Sequence, residues 1–301
     1  MRAVLFYNPT AGPRELGKKG LQDALKLANI EAKFISTKSG RLKAGLKKPA
    51  DFYVVAGGDG TVRKILAGLS DPLVPVAILP LGTANNVARS LNIAGTVHEL
   101  VEAWDITKTR RVDIGTVVGL KEKEKFFIEA FGIGVIPHLL KIAEKRVRAK
   151  GAGNLLEGRK VLQKILKDAP TIDLDISIDG EAIEGEIIGV EVLNTPYSGA
   201  GLPLAPDADP GDGLLDIVIF EAELRDALIE WLETPQKEPP PVKSKKGKRV
   251  QLLWQDAPHR FDDKFYKAKR KEQSATVSCR HEPALVLVHE PAVQTKPKFV
   301  K

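Results

Sequence analysis

The chain has 301 residues, 43% hydrophobic and 28% charged, proportions that suit one large globular domain or two of ordinary size. A single cysteine, Cys279, excludes an internal disulfide and a multi-cysteine metal site, and fits a reducing cytoplasm. The formal net charge of +7 favours anionic partners such as phosphates or lipid headgroups. Aromatic residues are sparse and do not interleave with the basic clusters as base-stacking platforms would, so nucleic acid is not expected.

The opening stretch Met1 to Pro9 is too short and too soon broken by proline to be a signal peptide. No segment approaches the ~20 apolar residues of a spanning helix. The expectation is a cytoplasmic protein with peripheral membrane association.

The first ~110 residues alternate strand and helix signals. Ala3 to Tyr7 is an apolar run ending at Asn8-Pro9-Thr10-Ala11-Gly12, and Leu21, Ala24, Leu25 and Ala28 follow at helical spacing. Phe52 to Ala56 is a second run, closed by Gly57-Gly58-Asp59-Gly60-Thr61, after which Val62, Ile65, Leu66 and Leu69 are again helically spaced. Val74 to Leu79 reads as a third buried strand, followed by Pro80-Leu81-Gly82-Thr83-Ala84-Asn85-Asn86 and a helix carrying Val87, Ala88 and Leu91. Buried strands separated by helices predict a parallel sheet in a layered α/β domain over residues 1–110.

From residue 111 to 301 strand-like segments dominate: Arg111 to Val118, Phe126 to Phe131, Leu174 to Ile178, Glu186 to Leu193, Leu214 to Phe220, Val250 to Trp254 and Ala284 to Val288. Helical patterns interrupt at Ile136 to Arg148, Leu156 to Leu166 and Leu224 to Leu232. This predicts a second, mainly antiparallel β domain with helical insertions. Thr234 to Lys248, rich in proline and lysine, is expected to be a solvated loop.

The turns after the three N-terminal strands are where open parallel sheets bind ligands. Glycines at 57, 58 and 60 let backbone N–H groups approach phosphate oxygens, and the following helix offers its positive end to the same anion. Asp59 can hold a magnesium ion that bridges phosphates, and Thr61 can donate a hydroxyl or cap the helix. Thr83 and Asn85 can reach a nucleotide or cap the next helix.

The three turns in this order resemble the signature of the diacylglycerol kinase catalytic domain family, which includes bacterial soluble lipid kinases and sphingosine kinases. The resemblance continues through Leu204-Ala205-Pro206-Asp207-Ala208-Asp209-Pro210-Gly211-Asp212-Gly213-Leu214-Leu215-Asp216. It implies a three-layer N-terminal nucleotide domain like that of NAD kinases, a C-terminal β-sandwich, ATP in the cleft between them, and phosphorylation of a lipid hydroxyl. Carried over by position, Asn8, Thr10, Thr37, Gly57, Gly58, Asp59, Gly60, Thr61, Thr83 and Asn85 would contact the nucleotide. The carboxylate of Asp212 and the carbonyls of Asp209 and Leu214 would hold a structural magnesium.

The pattern departs from the family where Asp-Gly-Glu usually supplies the base. Here the segment is Asp262-Asp263-Lys264, so Asp262 or Asp263 must take the hydroxyl proton, since a charged lysine cannot. Arg63 and Lys64 replace the usual Asn-Glu, and Asn86 replaces a frequent aspartate; Asp113 matches a further acidic position. The reading is an ATP- and magnesium-dependent kinase of diacylglycerol or a related lipid presented at a membrane surface, with a homodimer allowed. A kinase of a soluble acceptor such as NAD, and a binding protein that has lost turnover, are the alternatives.

Overall fold

The structure, a computed structural model, describes residues 1–11, 17–123, 125–150 and 155–289, without the side chains of 143–150. Gly12, the last residue of the first turn motif, lies outside the described residues. The chain divides into two units, one of Met1–Ile114 joined by the stretch from His281, the other of Gly115–Arg280.

The first unit runs β1 (Arg2–Tyr7), α1 (Gly17–Leu27), β2 (Glu31–Ser36), α2 (Leu42–Gly45), β3 (Phe52–Gly57), α3 (Asp59–Leu66), β4 (Val76–Pro80), α4 (Asn86–Ser90), α5 (Val97–Glu102) and β5 (Thr109–Val112). The second holds β6 (Gly115–Val118), β7 (Phe126–Phe127), β8 (Ala130–Gly134), α6 (Val135–Lys150), α7 (Leu155–Lys167), β9 (Leu174–Ile178), β10 (Glu181–Ile183), β11 (Ile187–Leu193), β12 (Leu215–Glu221), α8 (Arg225–Trp231), β13 (Lys243–Gly247), β14 (Arg249–Trp254), β15 (His259–Phe261), β16 (Lys264–Tyr266) and β17 (Gln273–Cys279). β18 (Ala284–Leu287) then returns to the first unit.

The N-terminal sheet has the order β2-β1-β3-β4-β18-β5, with β1 to β4 parallel. β3 is buried at every position, because both faces of a parallel sheet are covered when crossovers carry the helices. β18 pairs parallel to β4 at Val286 and antiparallel to β5, covering an edge that would otherwise be open. The expected boundary after residue 110 is therefore corrected. The domain keeps residues to Ile114, and Ala284 to Leu287 belong to its sheet rather than to the second domain. Arg111 to Val118 is likewise two strands in two sheets, broken at Asp113-Ile114.

The second unit is a sandwich of two antiparallel sheets, β10-β9-β14-β17-β6-β7 and β13-β12-β11-β8-β15-β16. Ile176, Trp254 and Val277 from one sheet and Ile133, Val190 and Ile217 from the other meet in one apolar core. The far face of the second sheet packs on α6, α7 and α8 through Val135, Leu162, Leu228 and the 200–208 segment. That second covering is why β11 is buried throughout while β9 alternates. Lys243–Gly247, expected in a solvated loop, forms β13 against β12; lysines along an edge strand discourage pairing with another chain.

Candidate nucleotide and acceptor sites

In the first unit, Tyr7 is level with Ser36 and Ala56, and Gly57 with Pro80, so four strands end along one edge. The chain leaves β1 for β2 on one side and returns past it to β3 on the other. The strand order thus reverses between β1 and β3, where doubly wound sheets open a crevice for ligands. Asn8 to Ala11 and Gly57 to Thr61 flank that crevice, with Thr37 at the end of β2 and Thr83 and Asn85 beyond β4. Topology thus gathers every expected nucleotide residue on one edge.

Their local roles differ. Asn8 Oδ1 accepts the Thr10 N–H at 3.2 Å and its hydroxyl at 2.9 Å, fixing the first turn. Gly58 caps α3 with no side-chain cap, leaving the helix start to backbone groups; Thr61 is buried against Gly57 instead of capping. Asp59 Oδ1 accepts the Val87 N–H at 3.0 Å, joining the turn after β3 to the start of α4. Asn85 is spent internally: its Oδ1 accepts the Gly82 N–H at 2.8 Å, and its Nδ2 donates to the carbonyls of Gly82 and Pro80. Thr83 is exposed. A Cβ on Gly82 would lie 2.5 Å from Gly58 Cα, so the two glycine turns are packed backbone to backbone. Lys64 Nζ donates to the Thr37 carbonyl at 2.8 Å, tying α3 to the end of β2. Asp113 is buried at the end of this unit's first segment.

In the second unit, Asp262 and Asp263 form the turn between β15 and β16, yet they do different things. Asp262 is buried in a left-handed conformation at φ 48°, which aspartate tolerates. Its Oδ1 accepts the N–H groups of Glu129 at 2.8 Å and Ala130 at 3.0 Å, and its Oδ2 that of Ile128 at 3.0 Å. Asp263 and Lys264 are exposed. Beneath the turn Arg260, fully buried, donates to Glu129 at 3.1 Å, to both oxygens of Glu191, to Ser198 and to the Asp262 carbonyl at 2.6 Å. Burial raises the Glu191 carboxyl, with Arg260 opposing. A Cβ on Gly132 would fall on Glu191 Oε1, so only glycine there leaves the carboxylate room. Sequence reasoning missed this network. Its signal was a lone glutamate inside each of two apolar runs, Phe126 to Phe131 and Ile187 to Leu193.

The diacylglycerol kinase catalytic domain model matches residues 2–117, and the YegS C-terminal NAD kinase beta sandwich-like domain model matches 158–263. A diacylglycerol kinase of Bacillus subtilis strain 168 is 31% identical over 233 residues, 73% of this chain and 74% of that one. The chain belongs to the diacylglycerol kinase family. A second family member, the diacylglycerol kinase of Staphylococcus saprophyticus, is 26% identical over 83% of this chain and 84% of its own. The crystal structure of a Bacillus anthracis diacylglycerol kinase superposes with a TM-score of 0.71 at 21% identity, covering 97% of this chain and 98% of that one. Yeast NADH kinase complexed with NADH shares the fold at a TM-score of 0.53 and 10% identity, covering 98% and 84%.

The structural magnesium expected in this family does not fit the residues present. Asp212 Oδ1 accepts the Leu214 N–H at 2.9 Å, and its Oδ2 lies 3.1 Å from Lys246 Nζ. The Asp209 carbonyl accepts the Asp212 N–H at 3.4 Å, and the Leu214 carbonyl faces the Cys279 thiol at 3.8 Å. The two carbonyl contacts are long and leave lone pairs to spare, so it is the Lys246 ammonium beside the Asp212 carboxylate that disfavours a second cation there.

Proposed function

We infer that this chain is an ATP-dependent lipid kinase that moves the γ-phosphate of ATP to a hydroxyl of diacylglycerol or a related lipid. The observation that carries the reading is the crevice between β1 and β3, flanked by Asn8–Ala11 and Gly57–Thr61, in a chain 31% identical to a diacylglycerol kinase. The backbone of Gly57, Gly58 and Gly60 holds the phosphates with the positive end of α3, and Asn8, Thr10, Thr37, Thr61 and Thr83 complete the nucleotide's surroundings. Asp59, in the same turn, would help hold the magnesium that accompanies ATP, which would supply charge neutralisation at the phosphates.

Positioning and charge neutralisation do most of the work in phosphoryl transfer. The acceptor oxygen bonds to the γ-phosphorus, the bond to the β–γ bridging oxygen breaks, ADP leaves, and the hydroxyl proton passes to a carboxylate. Of the two candidates Asp263 is that base. Asp262 is committed to three backbone N–H groups and supports the turn that presents its neighbour.

A cavity in the second unit supports a place for the lipid chain. A cavity of about 710 Å³ opens beside α6 and α7, walled by Val135, Ile142, Ile165, Ile172 and Ile188, within the ~300–1,000 Å³ range of small-molecule sites. The net positive charge would favour docking on an anionic lipid surface.

Purified protein with magnesium-ATP and mixed micelles of diacylglycerol should release ADP in a lipid-dependent way. Asp59→Ala should abolish it, and Ile165→Trp should raise KM for the lipid but not for ATP. Release of ADP with NAD and no lipid would overturn the lipid assignment.

A further inference from the structure

The resident cation of the loop before β12 is a side chain. We propose that the Lys246 ammonium occupies the place a divalent ion would take beside Asp212, so that the fold of this unit is independent of magnesium.

Three observations converge. Lys246 Nζ lies 3.1 Å from Asp212 Oδ2 and 3.4 Å from Asp216 Oδ2, bridging two carboxylates as an ion would. The antiparallel register sets Asp216 directly opposite Lys246, so the ammonium is delivered by paired strands rather than by a wandering surface arm. The loop's other oxygens are turned to protein hydrogens: the Asp209 carbonyl accepts the Asp212 N–H at 3.4 Å, the Leu214 carbonyl faces the Cys279 thiol at 3.8 Å, and Asp209 Oδ1 accepts the Gly211 N–H at 3.0 Å. A magnesium ion demands near-octahedral oxygen ligands at ~2.0–2.1 Å and sheds water reluctantly. Here it would have to share Asp212 with the Lys246 ammonium and sit against that positive charge.

The loop is worth holding. Leu202, Leu204, Ala205 and Ala208 are buried in the layer between the second sheet and the helices, so releasing it would loosen that layer. One cation bridges two carboxylates there, and a lysine cannot be removed by a chelator. Without the ammonium, Asp212 and Asp216 would be left facing one another with no counter-charge, which is the hard-oxygen pair a divalent ion seeks.

The test needs no nucleotide or lipid, and so stands apart from the kinase reading. Thermal unfolding is followed for wild type, Lys246→Gln and Lys246→Arg, each in EDTA and in millimolar magnesium or calcium at matched ionic strength. The wild-type Tm should be the same with chelator and with magnesium. Lys246→Gln should fall by about 2–4 °C in EDTA and recover with the divalent ion but not with matched sodium chloride. Lys246→Arg should behave as wild type. A wild-type Tm that drops in EDTA and returns with magnesium overturns the proposal, as does a Lys246→Gln protein that no divalent ion restores.

Discussion

Gly82→Ala tests whether the two glycine turns must touch. A Cβ at this position would lie 2.5 Å from Gly58 Cα and 2.7 Å from Asn85 Oδ1, where ordinary contact begins at 3.4 Å. The turns would have to part by about 0.9 Å, the difference between 3.4 and 2.5. Gly82 is not in the left-handed region, so alanine is not excluded by its own backbone. The obstacle is the Gly58 main chain, which cannot swing aside as a side chain could. Overpacking of this kind costs ~1–3 kcal/mol, and a displacement of ~1 Å in a site built on positioning costs ~10²-fold in rate. Lipid-dependent ADP release, measured over a range of ATP concentrations, should therefore show kcat/KM for ATP reduced ~10²-fold with a modest loss of Tm. Gly40→Ala is the control, because a Cβ there meets nothing within 4 Å. A Gly82→Ala enzyme with wild-type kcat/KM would refute the packing argument, since the phosphate turn would then tolerate its neighbour's retreat.

The Asp262-Asp263 turn should split cleanly: Asp262→Asn, which turns an amide toward backbone donors, should lose ~1–3 kcal/mol of stability. Asp263→Asn should keep its Tm and lose ~10²–10⁴-fold in kcat; the opposite pattern would move the base to Asp262. Arg260→Leu leaves Glu129 and Glu191 buried without their counter-ion and should cost ~3–5 kcal/mol by urea unfolding, against little for a surface change such as Arg249→Leu. His259 stacks on Tyr266 at 5.0 Å and is fully buried, and burial pushes its pKa from 6.5 down to about 4. Because the folded state holds the neutral ring, this contribution is complete above pH ~6.5 and is lost as pH falls from there toward 4, by at most ~3 kcal/mol. His259→Phe should flatten that limb of the stability profile; an unchanged slope between wild type and variant would refute it.

The local pattern of residues determined much of this protein. Asn8–Gly12, Gly57–Thr61 and Gly82–Asn85 stood where they did because strands with continuous apolar runs must be followed by turns, and glycine and asparagine are the residues those turns require. Leu174–Ile178 was legible as a strand from alternation alone, and the lipid-kinase reading came from three turns in order. Tertiary structure decided the rest, through contacts between residues distant in the chain. Nothing near Ala284–Leu287 says that it crosses back to pair with β4, because an apolar strand carries no record of its partner. Asp262 and Asp263 are adjacent and alike in sequence, yet folding buries one on the amides of 128–130 and leaves the other in solvent. Lys246 read as one lysine in a solvated loop until strand pairing set it opposite Asp216. Charge and polarity are written residue by residue, but which charges meet is set by register.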